Sequence, residues 1–335
     1  MSHGILPQQA ILSLMRANAI IPDQDLDPKQ VQPASLDLRL GDVAYRLRAS
    51  FLPGHARCVQ ECLTPDLVMH KIDLSRGAVL ETGCVYLVPL KESLALPSHI
   101  SAVANPKSST GRLDVFTRVI CDKADAFETV PTGYTGPLYV EIAPRTFSIL
   151  ARPGDKLVQI RFREGAHQPL STQTVSIDLA GDGIIGYRAK RHAGLVDLSN
   201  VGGHSAKDYW EPLYARNNSL VLDPEEFYIL ASKEAVTIAE DVAAEMAPIA
   251  PEIGEFRAHY AGFFDPGFGV HKAGGAGSRA VLEVRGRDVP FLLRDGQAVA
   301  RLIFEPMQDI PESLYGAQGS HYQAQGLRLS KHFKQ

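Results

Sequence analysis

LARPGDKLVQIRF at positions 150–162 and LLRDGQAVARLIF at 292–304 align without a gap at a spacing of 142 residues. Each contains a turn, Arg152-Pro153-Gly154-Asp155 or Arg294-Asp295-Gly296, followed by a run that mixes apolar with polar residues. Glycine beside Asp or Pro is turn chemistry, and period-two alternation belongs to strands, so both stretches predict a hairpin. Further matches flank them in the same order. Tyr86-Leu87 faces Tyr228-Ile229, Lys91-Glu92 faces Lys233-Glu234, and Glu141 in LYVEI faces Glu283 in VLEV, all 142 apart. Upstream, SLDLRLGDVAYR (35–46) faces SIDLAGDGIIGYR (176–188), with Ser35 standing 141 before Ser176. Ordered matches at nearly one spacing predict a duplicated domain of about 140 residues, an ordinary domain size.

The fold class that follows is all-β: two tandem barrels or sandwiches of short strands with a short N-terminal helix. Helical periodicity is confined to residues 5–18, with Ile11, Leu12 and Met15 as apolar positions, and to a helical turn in the Ala-rich stretch 235–246. Residues 188–222, rich in Gly, Asn and Asp, predict long loops. Polar residues 163–174 predict the boundary between the halves, and the last twenty residues, with Gly316, Gly319 and Gly326, read as a flexible tail. The expected organisation is a helical segment over 1–30, a first repeat over 31–165, a second over 174–310 and a tail over 311–335.

The 335 residues are 45% hydrophobic and 21% charged. That is enough apolar material for two cores and excludes a disordered chain. No stretch is apolar over the length a membrane helix needs, and the first fifteen residues lack the basic start and apolar centre of a secretory signal. Four Cys are too few for a disulfide framework. The expectation is a soluble cytoplasmic protein with reduced thiols. A net charge of −4 argues against nonspecific binding to nucleic acid.

Asn105 to Arg112, NPKSSTGR, offers two cations, hydroxyls and backbone N–H groups, the set that phosphate oxygens take. By residue type alone a polar surface loop is the commoner reading, and the order of a Walker A loop is absent. AGFFDPGFG (261–269) holds an Asp-Pro-Gly turn and three Phe that line either a flat pocket or the core. Glu283 shares a strand face with Val281 and is either a desolvated base or a solvated side chain. Glu141 poses the same question, and its recurrence in both repeats points to a role at least in an ancestor. Zinc is unsupported: Cys58 and Cys62 have no second pair, and the H-x-E with P-C-x-x-C signature of zinc deaminases is absent. The G-x-S-x-G elbow is missing, and KAGGAG (272–277) lacks a βαβ setting.

Four stretches together resemble the zinc-independent dCTP deaminases, which share a fold with the trimeric dUTPases. VQPASLDLRLGDVAYRL (31–47) is similar to the family's N-terminal strand pair. KSSTGRL (107–113) resembles its R-S-S-x-x-R-L motif, with Lys107 for the usual Arg. AGFFDPGFG and VLEV resemble its nucleoside loop and catalytic-Glu strand. YGAQGSHYQAQGLRLSK (315–331) resembles its C-terminal Y…K-Y-Q-G-Q tail, with His321 at the usual Lys. The resemblance implies two tandem dUTPase-like distorted β-barrels of the β-clip type. It also implies a homo-oligomer, with a trimer favoured.

The motifs are divided between the repeats. The first has the serine motif but CDKADAFETVPTGYTG (121–136) in place of the nucleoside loop; the second has the loop but only IAPEIGEF (249–256) in place of the serine motif. The resembled family joins these motifs from different chains, which implies one composite site, within one chain or across chains. Glu283 is the implied general base for hydrolysis of dCTP to dUTP and ammonia. Ser108 and Arg112 are implied to position the water and stabilise developing charge, and Glu141 is a weaker alternative base. Lys107, Ser109 and Arg112 would face the phosphates, and Thr110 and Gly111 belong to the same nucleotide-binding set. Ala261, Phe263, Asp265, Val281 and Leu282 would surround the nucleoside, and Tyr315, His321 and Gln325 would close over it as an ordered tail. Mg²⁺ would arrive with the triphosphate, with no side chain ligating it and no zinc, and dTTP is an implied feedback ligand. Two other readings stand beside this one: a dUTP diphosphatase or bifunctional enzyme releasing dUMP, and a non-catalytic deoxynucleotide-binding protein.

Overall fold

A computed structural model describes residues 3–24, 27–249, 256–259, 262–270, 277–317, 322–323 and 325–334. The chain is mostly strand, as the alternating patterns require. In the first half Val85–Ala95 pairs antiparallel with Thr135–Pro144, whose other edge takes Val115–Cys121. Ile100–Pro106 and Val158–Glu164 form the centre of a second sheet, and side chains from both sheets share one core. In the second half Phe227–Val236 pairs with Ser278–Gly286, and Val242–Pro248 pairs with Ala298–Pro306.

The pairing registers recur at the spacing read from the sequence. Glu141 lies opposite Leu87, and Glu283 lies opposite Ile229. Arg161 lies opposite Val103, and Ile303 opposite Glu245. The turn glycines match too: Gly154 and Gly296 have φ of 86° and 75°, a region where a Cβ is strained.

The N-terminal helix spans Gln8–Arg16 and buries Ile11 and Leu14. The other described helices have four residues or fewer, and none of the described helices is long and apolar enough to cross a membrane.

Three expectations are corrected. The Ala-rich stretch 235–246 holds no helical turn; it is the end of one strand, Phe227–Val236, and the start of another, Val242–Pro248. Ladder pairing with Ala298–Pro306 overrides the helix propensity of alanine there. Residues 188–222 are not mainly loop, because Trp210–Tyr214 and Ser219–Leu222 are strands and Trp210 is buried. The end of the chain is packed rather than loose. Phe333 is buried among Phe147, Tyr209 and Trp210, and Phe333–Lys334 pairs in parallel with His204–Ser205.

The two main cores among the described residues are not divided cleanly between the halves. Phe227, Ile229, Val281 and Phe333 join the core of the first-half sheets, while Leu230, Leu282 and Val284 belong to the second core. The halves are therefore packed face to face through alternate residues of the same strands.

Candidate active site

Strand alternation decides where Glu283 points. Along Ser278–Gly286, Ala280, Leu282 and Val284 enter the second core. Val281, Glu283 and Arg285 face the first half: Val281 packs into its core, Glu283 approaches Arg112, and Arg285 pairs with Asp114. The carboxylate of one half thus meets the serine turn of the other within a single chain.

That turn is a single helical turn, Ser108–Gly111, following Ile100–Pro106. Thr110 Oγ1 donates to Leu157 O (2.8 Å), and Ser330 Oγ from the chain end donates to Ser109 O (2.8 Å). Arg112 is fixed from behind. Its Nη1 donates to Arg328 O (3.0 Å), its Nη2 to Gln325 Oε1 (3.1 Å), and its guanidinium lies 4.0 Å from the centre of the Tyr322 ring. Its Nε, 3.7 Å from Glu283 Oε1, finds no hydrogen-bond partner among the described residues.

Ser108, Ser109, Arg112, Tyr322 and Glu283 line a cavity of about 350 Å³, together with Lys107, Phe263, Asp265, Val281, Tyr315 and Gln325. Burial pushes the Glu283 carboxyl up to about 8, and the charge of Arg112 opposes this without overcoming it. At 3.7 Å the pair is too long for a hydrogen bond to offset desolvation. Burial also raises Asp265, whose Oδ1 accepts from Arg161 Nη2 at 2.9 Å; that arginine lies over Phe263 at 4.0 Å. Lys107 pairs with Asp37.

Glu141 stands elsewhere. Its Oε1 takes Nε and Nη2 of Arg118 at 3.1 and 2.5 Å, and that guanidinium lies 3.6 Å from the centre of the Phe127 ring. The same face of its sheet is covered by Val59, Phe51 and Leu63 from residues 48–67, and Arg118 also reaches Ser50 Oγ at 2.6 Å. The weaker alternative base is buried under its own chain, outside the cavity.

Other expected site residues divide in the same way. Leu282 turns its side chain into the second core, and Thr110 and Gly111, the last two residues of the serine turn, do not line the main cavity. Ala261 and His321 lie outside the described residues. Tyr322, Lys331, Lys29 and Gln159 line the cavity and were not singled out from the sequence. Tyr322 and Lys331 stand inside the quoted tail and Gln159 inside the repeated stretch 150–162, whereas Lys29 belongs to no motif.

The sequence profile of the 2'-deoxycytidine 5'-triphosphate deaminase C-terminal domain matches residues 154–333, and that of its N-terminal domain matches residues 2–166. The chain belongs to the 2'-deoxycytidine 5'-triphosphate deaminase family. The crystal structure of a family member, 2'-deoxycytidine 5'-triphosphate deaminase from Agrobacterium tumefaciens, is 54% identical, with a TM-score of 0.88 over 94% of this chain and 99% of that one. A "dCTP deaminase, dUMP-forming" of Kocuria rhizophila is 33% identical over 138 residues, 41% of this chain and 67% of the relative. A "dCTP deaminase" of Haloarcula marismortui is 25% identical over 170 residues, 48% of this chain and 80% of the relative.

Proposed function

We propose that this deaminase-family protein hydrolyses dCTP to dUTP and ammonia at the cavity between its halves. The observation that carries the reading is the convergence of Ser108, Arg112, Asp265 and Glu283 on one cavity. Water attacks C4 of cytosine while Glu283 takes one of its protons and passes it to N3; the carboxylate then takes the second proton from the C4 hydroxyl and gives it to the amino group, which departs as ammonia as the C4 carbonyl forms. General acid–base help of this kind is worth roughly 10²–10⁴-fold. Glu283, raised toward neutrality by burial, is suited to both directions of transfer. Ser108 orients the water, and Arg112 Nε, which has no hydrogen-bond partner among the described residues, stabilises charge developing beside it.

Asp265 and Phe263 hold the nucleoside end, and Lys107 with Ser109 meets the phosphates. Mg²⁺ belongs to the substrate as Mg·dCTP, and the chain supplies cations to the same phosphates. Tyr315, Tyr322 and Gln325 exclude water from the closed site. The matching registers of the two halves support a duplicated dUTPase-like barrel in which each copy has kept one part of the site. A cytoplasmic setting and a homo-oligomer belong to the same proposal, and each chain carries its own complete cavity.

Incubation with Mg·dCTP tests the reading by ammonia release and product analysis. Ammonia with dUTP is expected. Ammonia with dUMP and pyrophosphate identifies the dUMP-forming chemistry named for some relatives. Tight dCTP binding with no ammonia refutes deamination.

A further inference from the structure

Behind the facing pair Arg112 and Glu283 stands a second pair, two residues further along each segment. Asp114 follows Arg112, Arg285 follows Glu283, and the two form an ion pair between the halves. Both are buried, and neither lines the main cavity. The duplication shows that this pair is particular to the Glu283 site. Two residues beyond Glu141, at the position equivalent to Arg285, the first half has Ala143. Of the two equivalent glutamate strands, only the one facing the cavity carries the arginine.

The pair is held from several sides. Arg285 Nη2 donates to Asp114 Oδ2 and to Thr146 Oγ1 (3.0 Å), and Nη1 donates to Glu225 O. Thr146 Oγ1 in turn donates to Asp114 Oδ2 at 2.5 Å. The Asp114 backbone is tied as well: its N donates to Gly111 O (2.8 Å), and its O accepts from Arg145 N (2.9 Å). Asp114 has a φ of 54°, a left-handed conformation that a residue other than glycine keeps where its surroundings over-determine it. That conformation lies where the chain leaves the serine turn and enters the strand Val115–Cys121. A buried ion pair adds little net stability, because desolvation offsets attraction, and its best-attested use is to fix register. A guanidinium with donors aimed at different groups fixes an angle as well as a distance. The register fixed here is that of Ser278–Gly286 against the serine turn.

We propose that Asp114 and Arg285 are positioning residues: their ion pair holds the serine turn and the glutamate strand at the spacing that keeps Arg112 and Glu283 close but unbonded. The inference rests on the dCTP reading. Glu283 and Arg285 share one strand face, so a slip or tilt that parts Arg285 from Asp114 also moves Glu283 relative to Arg112. The 3.7 Å gap then either closes to a hydrogen bond, which weakens Glu283 as a base, or widens, which removes the donor from the reacting carbon. Because the pair lies outside the cavity, its loss changes the chemical step and not the contacts that bind the nucleotide.

The test uses the full chain with Mg·dCTP and compares wild type, Arg285→Met, Arg285→Lys and the double variant Asp114→Asn/Arg285→Met by ammonia release and urea unfolding. Arg285→Met is expected to lower kcat by about 10- to 100-fold, the scale of a misplacement of about 1 Å, and to leave KM within about threefold. Arg285→Lys keeps a cation for Asp114 without the fork, and its kcat is expected to lie between the two. The double variant leaves no buried charge unpaired, so it is expected to regain stability over Arg285→Met and yet keep the low kcat. Recovery of kcat together with stability, a loss confined to KM, or an unchanged kcat in Arg285→Met overturns the proposal. A crystal structure of Arg285→Met, which needs no turnover, separates this question from the deamination reading. Arg112 Nε and Glu283 Oε1 are expected to leave the separation they have in wild type; an unchanged separation overturns the proposal even in a protein that deaminates dCTP. Should Arg285→Met not fold, Thr146→Val, which removes the hydroxyl shared by both partners, carries the same comparison with a smaller expected loss of kcat, and an unchanged kcat there overturns the proposal.

Discussion

Arg112 Nε stands 3.7 Å from Glu283 Oε1 without bonding to it, while both terminal nitrogens of the same guanidinium are tied to the C-terminal segment. The guanidinium is thus held rigidly and keeps one donor available at the carboxylate. An ion pair closed to hydrogen-bond distance would stabilise the carboxylate and weaken it as a base. The open pair leaves Glu283 basic and leaves Arg112 a donor for charge that forms on the substrate.

The pH profile follows from that geometry. Glu283 acts as base only when deprotonated, and burial places its titration at about 8. The deprotonated fraction grows as pH rises through that value. We expect kcat/KM for dCTP to increase about tenfold per pH unit well below 8 and to level off above it. Whatever residual activity Glu283→Gln retains is expected to lack this limb. A flat wild-type profile between about pH 6 and 9 contradicts the assignment.

Stability has the opposite dependence. The folded carboxyl titrates above its ordinary value of 4.5, so below that value both states are protonated and the neutral side chain is fully compatible with the fold. As pH rises toward 8, the unfolded chain loses a proton that the folded chain keeps, and stability is lost. Glu283→Gln, neutral at every pH, is expected to be more stable than wild type by about 3 kcal/mol at pH 7 and equal to it near pH 4. Urea unfolding at the two pH values measures the difference; a gap of the same size at both refutes desolvation as the cause.

Location of the whole site in one chain is tested by mixing. Arg112→Ala and Glu283→Gln are each expected to be inactive, and their mixture stays inactive because no chain in it has both residues. Recovery of a substantial fraction of ammonia release on mixing places the site between chains instead.

The C-terminal anchor links stability to binding. Phe333 packs edge-on against Phe147 and Trp210 and lies two residues beyond Lys331. Phe333→Ala is expected to cost about 3 kcal/mol from lost burial and cavity formation and to raise KM for dCTP by loosening Tyr322 and Lys331. Unfolding curves and steady-state kinetics on the same variant check both parts; loss of stability with an unchanged KM separates the tail from the site.

Much of this was legible before any coordinates. Period-two alternation and paired turns define strands locally, so the two hairpins and the equivalence of Glu141 and Glu283 could be read from spacing alone. What alternation cannot tell is which face is covered, and by what. Glu141 and Glu283 occupy equivalent register positions, yet one meets Arg118 under residues 48–67 and the other meets Arg112 across the interface. That difference is long-range. The stretch 235–246 has alanine's helix propensity locally, yet Val242–Pro248 is a strand whose pairing partner lies more than fifty residues away in sequence. The tail looked loose because its glycines and polar residues are local signals, whereas Phe333 is ordered by an aromatic cluster drawn from distant segments.

The division of labour between the two equivalent glutamates is measured most directly by ammonia release from dCTP in Glu283→Gln and Glu141→Gln. The account predicts a loss of about 10²–10⁴-fold or more for the first and near wild-type turnover for folded Glu141→Gln. Comparable losses in both, or retained activity in Glu283→Gln, would contradict it.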